Sequence, residues 1–178
     1  MKTFNTLTKL GLAVSLVFLA ACSGDDDNNT PAPGPATPNG TYLSGKINGT
    51  SWQSLEIQGQ SLAVAVSTGE GAGRLIMING SGDMSGTDSM VINLLGINSP
   101  GTYPISPDTD SVLAYVNTSS NTRYDTSDCS GATGTVTITT INDTKVEGTF
   151  SFVGKVDEDC AQQKTVTEGS FRGVFMQN

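Results

Sequence analysis

Along most of the chain beyond residue 41, apolar residues recur at every second position, and this period of two constrains the fold more than any other feature. Segments 133–141 (TGTVTITTI) and 146–153 (VEGTFSFV) are the clearest. Val136 and Ile138 share one face of the first, and Val146, Phe150 and Phe152 share one face of the second. Similar runs occupy 42–47, 50–57, 61–67, 74–79, 88–95 and 111–117. A final run, 165–176, sets Phe171 and Phe175 on one face with Gly173 between them. Asn48-Gly49, between the first two runs, is a strong hairpin signal because both residues tolerate positive φ. Segment 96–110 contains three prolines, which exclude a central strand there. No stretch after residue 22 keeps a 3.6-residue period over a helix length. The expected fold is all-β: an antiparallel sandwich or flattened barrel of about eight strands, with one face packed and the other wet. The expected domain covers 41–178.

Composition narrows the function. Glycine (21), serine (19) and threonine (23) dominate, and the formal net charge is −8 without a single histidine. So acidic a chain has no electrostatic footprint for nucleic acid or anionic lipid. The lack of imidazole rules out a Ser-His-Asp triad, a Cys-His pair and a His-based zinc site.

The first residues read as an address. Lys2 and Lys9 form a positive start, and residues 10–20 (LGLAVSLVFLA) form an apolar run too short to span a membrane. The run closes on Leu19-Ala20-Ala21-Cys22, which resembles the bacterial lipobox. That resemblance implies a signal peptide over 1–21, cleavage before Cys22 and a diacylglycerol on the Cys22 sulfur. Two or more acyl chains suffice for stable anchoring, since each buried CH₂ contributes about 0.8 kcal/mol.

Residues 22–40 form the lipidated cysteine and an Asp/Pro-rich tether. Four of the seven prolines fall here, with no apolar residue larger than alanine after the cysteine. Fully extended, residues 23–40 would reach about 55 Å. Ser23, Gly24, Asp25, Asp26 and Asp27 resemble the acidic export signal of Bacteroidota lipoproteins displayed outside the outer membrane. The expected location is thus the outer membrane, lipid-anchored and cell-surface exposed, with a periplasm-facing anchor as the alternative.

With Cys22 assigned to lipid, Cys129 and Cys160 remain as an even pair outside the cytoplasm. A disulfide between them would staple the open ends of the 133–153 hairpin. Two free thiols or a metal pair are the alternatives, although a zinc site would lack ligands.

The strand GTVTITTIND, the following VEGTFSF and the closing TVTEGSFRGVF resemble a group of small, uncharacterised Bacteroidota surface lipoproteins with a single β-sheet domain. INGTSW and GTYPI look similar too. The resemblance implies a fold and a location; it carries no reaction, cofactor or catalytic residue.

Other constellations have plainer readings. Glu56, Glu147, Glu168, Asp108, Asp110, Asp125 and Asp128 are candidates for a carboxylate pair, but strand faces and polar loops account for them. Asp108-Thr109-Asp110 and Asp157-Glu158-Asp159 offer oxygen donors of the kind Ca²⁺ takes, without completing a shell. Thr135, Thr137 and Thr139 form one row on a strand, read as its outward face. Among Trp52, Tyr42, Tyr103, Tyr115 and Tyr124, Trp52 reads as core and Tyr124 as the aromatic to expect at the surface.

The sequence thus predicts a non-enzymatic binding or interaction module for a glycan or a protein, attached to the membrane through Cys22. It names no catalytic residue, metal, cofactor or nucleic-acid partner. A carboxylate-based polysaccharide hydrolase and an accessory envelope subunit without its own ligand are the alternatives.

Overall fold

A computed structural model describes residues 40–176. Cys22 and the export-like segment Ser23, Gly24, Asp25, Asp26 and Asp27 lie outside the described residues. Thirteen strands are present among them: β1 Tyr42–Ile47, β2 Thr50–Gln53, β3 Glu56–Ile57, β4 Gln60–Ser61, β5 Val64–Thr68, β6 Leu75–Ser81, β7 Asp88–Leu95, β8 Gly101–Ile105, β9 Val112–Asn117, β10 Thr122–Asp125, β11 Thr133–Ile141, β12 Lys145–Val156 and β13 Asp159–Val174. A short 3₁₀ turn, Gly71–Gly73, is the only helical element among the described residues. The all-β expectation holds.

Eleven strands belong to one curled antiparallel sheet, and β3–β4 form a separate two-stranded ribbon. The large sheet has two limbs. One runs β2-β1-β13-β12-β11-β8, the other β10-β9-β7-β6-β5. They meet where the edge of β12 passes from β11 to β10, at the pair Asp125–Lys155. On the far side, a single bridge between Ala65 and Phe175 brings β5 to the end of β13. The result lies between a sandwich and a half-open barrel. Leu43, Phe150, Phe152 and Phe171 from the first limb meet Ile78, Ile92, Leu94 and Leu113 from the second in one core.

The strand count exceeds eight for local reasons. The run 50–57 breaks at Ser54, whose backbone NH donates to the Leu43 carbonyl (2.8 Å) and whose Oγ accepts from Leu43 N (3.2 Å). The run 61–67 likewise divides into β4 and β5. In the proline-bearing segment 96–110, β8 is an edge strand: it pairs with β11 alone, and Pro104 sits opposite Thr135. An edge is where a residue lacking NH does least harm. The Asn48-Gly49 turn forms as expected, with φ of 48° and 83°.

The glycines of β12 and β13 have a packing role. Gly148 stands across from Phe171, and Gly169 stands across from Phe150. Each ring lies over backbone that carries no Cβ. Phe150 also packs near Phe171, with centroids 6.1 Å apart. A bulge at Glu168 (φ 52°) makes this possible. Val166 faces inward before it; after it, Gly169, Phe171, Gly173 and Phe175 do, so one inserted residue exchanges the two faces.

Thr41, just ahead of β1, closes the other edge of β13. Its Oγ1 accepts from Val174 N at 3.0 Å and donates to Val174 O at 3.4 Å.

The Cys129–Cys160 disulfide is present, with Cα atoms 5.6 Å apart and a sequence separation of 31. It ties the loop entering β11 to the start of β13. Cys129 is buried and Cys160 exposed.

Candidate functional site

Four of the carboxylates singled out from the sequence, Glu147, Glu168, Asp125 and Asp128, are engaged structurally. On β12, Glu147 accepts from Arg172 Nε at 2.6 Å and from Lys145 Nζ at 3.0 Å. The Arg172 bond, with the smaller contribution of Lys145, holds the Glu147 carboxyl below its ordinary value. Glu168 pairs with Lys46 at 2.8 Å on an exposed surface. Asp125 is buried; it pairs with Arg123 and accepts from the backbone and hydroxyl of Ser127 at 2.9 and 2.7 Å. Asp128 accepts a hydrogen bond from the Ser127 hydroxyl. Glu56 is exposed on β3. Asp108 and Asp110 lie in the turn between β8 and β9, and Asp157-Glu158 in the turn between β12 and β13. Among the described residues, no three Cys, Asp or Glu side chains gather in a way that would hold a metal ion.

A carboxylate that the sequence did not single out, Asp83, organises the loop between β6 and β7. It accepts from the Thr87 hydroxyl, from Thr87 N at 3.0 Å and from Ser85 Oγ at 3.0 Å. These bonds, led by the Thr87 hydroxyl, lower its pKa. The signal was available: Asp83-Met84-Ser85-Gly86-Thr87 is the spacing of a side-chain-closed turn.

Among the described residues, the aromatic side chains do not form an exposed strip. Trp52 is 9% exposed and belongs to the core, as its sequence context suggested. Tyr124 corrects the expectation of surface display: it is half-buried against the core, its ring 6.1 Å from that of Tyr115. Lys164 Nζ lies 5.7 Å from the Tyr124 ring centroid. The polar run around Tyr124 hid the reason, namely that residues 122–125 pair with β9 and point Tyr124 to the same side as Tyr115. Burial is the main cause raising the Tyr115 pKa, partly offset by a hydrogen bond with Asn117.

Three surfaces remain open. The first is a cleft of about 450 Å³ at one end of the fold, between Arg74, Asn98, Glu70 and Phe175. Its Arg74 is committed: it donates to Ser67 Oγ at 3.0 Å and to Asn142 O at 2.9 Å, and lies 5.6 Å above the Phe175 ring. Asn98 likewise donates to the Gly71 and Gly96 carbonyls. Both side chains therefore serve to fasten loops.

The second is the outer face of the first limb. Thr102, Thr137, Thr149, Ser170 and Ser44 stand in one transverse row across β8, β11, β12, β13 and β1. Thr102 and Thr137 are hydrogen-bonded at 3.1 Å, and Tyr42 Oη reaches Ser170 Oγ at 3.0 Å. The threonine row of β11 is thus part of a wider hydroxyl field, assembled by strand pairing and invisible along one strand. Shallow furrows of about 240, 350 and 250 Å³ run through it.

The third is the outer face of the second limb, and it departs from the expected wet surface. One transverse row reads Val66–Met77–Asn93–Val112 across β5, β6, β7 and β9. The next reads Val64–Asn79–Val91 and ends at Ala114, which is fully buried beside Asp125 of β10, and Leu75 pairs with Leu95 beside them. Val64 is 53% exposed, and Met77 and Leu95 are each 37% exposed. No outward position on these four strands carries a charge. The signal lay in the sequence: SLAVAVS, RLIMIN, MVINLL and SVLAYV are nearly continuous apolar runs, the pattern of strands covered on both faces. Only one of those faces is covered by the core. At the limb's edge, Arg123 and Asp125 form an ion pair.

The family model described as a domain of unknown function (DUF6252) matches residues 39–175. No curated protein and no solved structure matches the chain.

Proposed function

Because the chain belongs to the DUF6252 family of domains of unknown function, its activity has to be read from its own surfaces, and we propose that it is a non-enzymatic protein-interaction module displayed on a lipid anchor. One observation carries the reading: the apolar, uncharged outer face of β5, β6, β7 and β9. A sheet face left to water ordinarily alternates in polar residues, and contiguous apolar patches of this kind mark association surfaces. The engagement of Glu147, Glu168 and Asp125 in ion pairs and turns favours binding over carboxylate catalysis. The lipobox ending in Cys22, the acidic residues 25–27 and the proline-rich stretch that follows support a surface-exposed lipoprotein of a Bacteroidota-type outer membrane.

A photo-cross-linking residue in place of Met77, in the full-length protein in its own membrane, tests the reading. Protein adducts should form from position 77 and not from position 137 on the opposite limb. Their absence at 77, or equal capture at both positions, would overturn it.

The hydroxyl field favours a second reading, a neutral glycan laid across Thr137, Thr149 and Ser170. The flanking charges Glu147, Arg172, Lys46 and Glu168 neutralise one another in pairs, which leaves the furrows suited to an uncharged ligand. Retardation in gels cast with neutral polysaccharide, abolished by Thr149→Lys, would support it; unchanged mobility would dismiss it.

A further inference from the structure

We propose that the occupant of the apolar face is a second copy of this chain, packed face to face through β5, β6, β7 and β9. The inference rests on the interaction-module reading and names the partner of that same surface. Three observations select a copy over other occupants. First, the chain's own residues 23–39 carry three aspartates and, besides alanine and proline, no apolar side chain, which makes that segment a poor cover for valine, leucine and methionine. Second, the surface matches itself. Its outward rows are free of charge and apolar apart from the amides Asn79 and Asn93 and a few hydroxyls, which can pair with their own kind, so each copy presents what the other requires, as in an isologous two-fold interface.

Third, electrostatics favour self-association through this face. The segment 41–178 carries seven Lys/Arg and fourteen Asp/Glu, a net −7, so two copies repel wherever their acidic surfaces meet. The uncharged face allows approach with those charges held at the periphery and screened by salt. Two twisted sheets packed this way lie about 10 Å apart with strands crossing near −30°, the geometry of a sandwich interior. A Lys- or Arg-fringed surface suited to anionic lipid is not what these strands present; Arg123, at the edge, is paired with Asp125.

The size of the face sets the strength. About a dozen outward side chains per copy fall short of the roughly 20–30 of a standard interface, so the association is reversible in dilute solution. Confinement on a membrane through the proposed anchor raises the effective concentration and shifts the balance toward the pair.

The test uses the full-length chain in membranes, carrying Met77→Cys or, as an independent reporter, Leu95→Cys, treated with a short bis-maleimide. Cys129 and Cys160 are bonded to one another and do not react; the parent chain controls for Cys22. A covalent species of twice the chain's mass should form from either reporter, at least ~10-fold above the yield from Thr137→Cys on the opposite limb. Adding Val66→Glu to the Met77→Cys chain should lower the yield by ~10-fold or more, because a carboxylate would be buried without a partner. Adducts of some other mass would overturn the second copy while leaving the interaction-module reading intact. No adduct from either reporter would overturn the second copy, while the interaction-module reading stands or falls on photo-cross-linking at position 77. Equal dimer yield from Thr137→Cys would mark random collision and overturn the proposed pairing.

Discussion

Phe171 lies directly across the β12–β13 ladder from Gly148, and its ring occupies the space that a side chain at 148 would need. A Cβ added there would come within 2.9 Å of Phe171 Cζ and would overlap the Thr137 carbonyl oxygen. The carbonyl belongs to a paired strand and cannot yield. Gly148→Ala should therefore destabilise the protein by about 3 kcal/mol, lowering the melting temperature by roughly 10 °C. Gly73→Ala, where nothing lies within 4 Å, should stay within about 0.5 kcal/mol of the parent. Paired thermal melts decide between a packing role and mere chain flexibility.

The disulfide gives a second expectation. Closing a loop of this length should contribute about 3–4 kcal/mol in the chain-entropy account. Cys129→Ser combined with Cys160→Ser should lose that amount in urea unfolding at pH 7. Titration of the native protein should find no free thiol at either position.

Glu147 predicts a pH signature. Its folded-state pKa is depressed by Arg172 and Lys145, so its contribution is complete above the unfolded glutamate value and disappears as pH falls through the lower folded value. The stability gap between parent and Glu147→Gln, about 0.5–1 kcal/mol at neutral pH, should therefore close on acidification below the usual carboxylate range. A gap that widens with acid would contradict the assignment.

At the bulge, Glu168 holds φ 52° without being glycine, and its ion pair with Lys46 is exposed. Glu168→Gly should be neutral or stabilising by up to about 1 kcal/mol, since the relief of backbone strain outweighs an exposed pair. Denaturant midpoints suffice to measure it.

Cys22→Ala should abolish labelling by radiolabelled fatty acid and release the protein from the membrane fraction. Retention in that fraction would count against the lipid anchor.

Much of the fold was legible because β11 and β12 alternate cleanly: Val136, Ile138, Val146, Phe150 and Phe152 are all buried as their period requires. Cysteine parity likewise led to Cys129–Cys160. Three things were hidden. The bulge at Glu168 shifts the phase within β13, and a one-residue insertion has no compositional signature. The polar letters around Tyr124 concealed a strand whose role depends on a partner far along the chain. The outer apolar face is masked by a period of two that holds over most of the domain, whereas β5, β6 and β7 add Val64, Val66, Leu75, Met77, Val91 and Leu95 on their outward side.

Thr41 fixes how the domain responds to mechanical load. Any pull transmitted through the residues ahead of position 40 reaches the fold at Thr41, whose hydroxyl is doubly bonded to Val174. Behind that clamp, β1 is held on both edges, by β13 on one side and β2 on the other. Traction along the strand axis would load those ladders together, whereas a transverse tug would open them rung by rung, starting from the threonine. The domain should therefore bear more force when dragged parallel to β1 than when lifted across it, and Thr41→Val should weaken the first rung in the transverse direction.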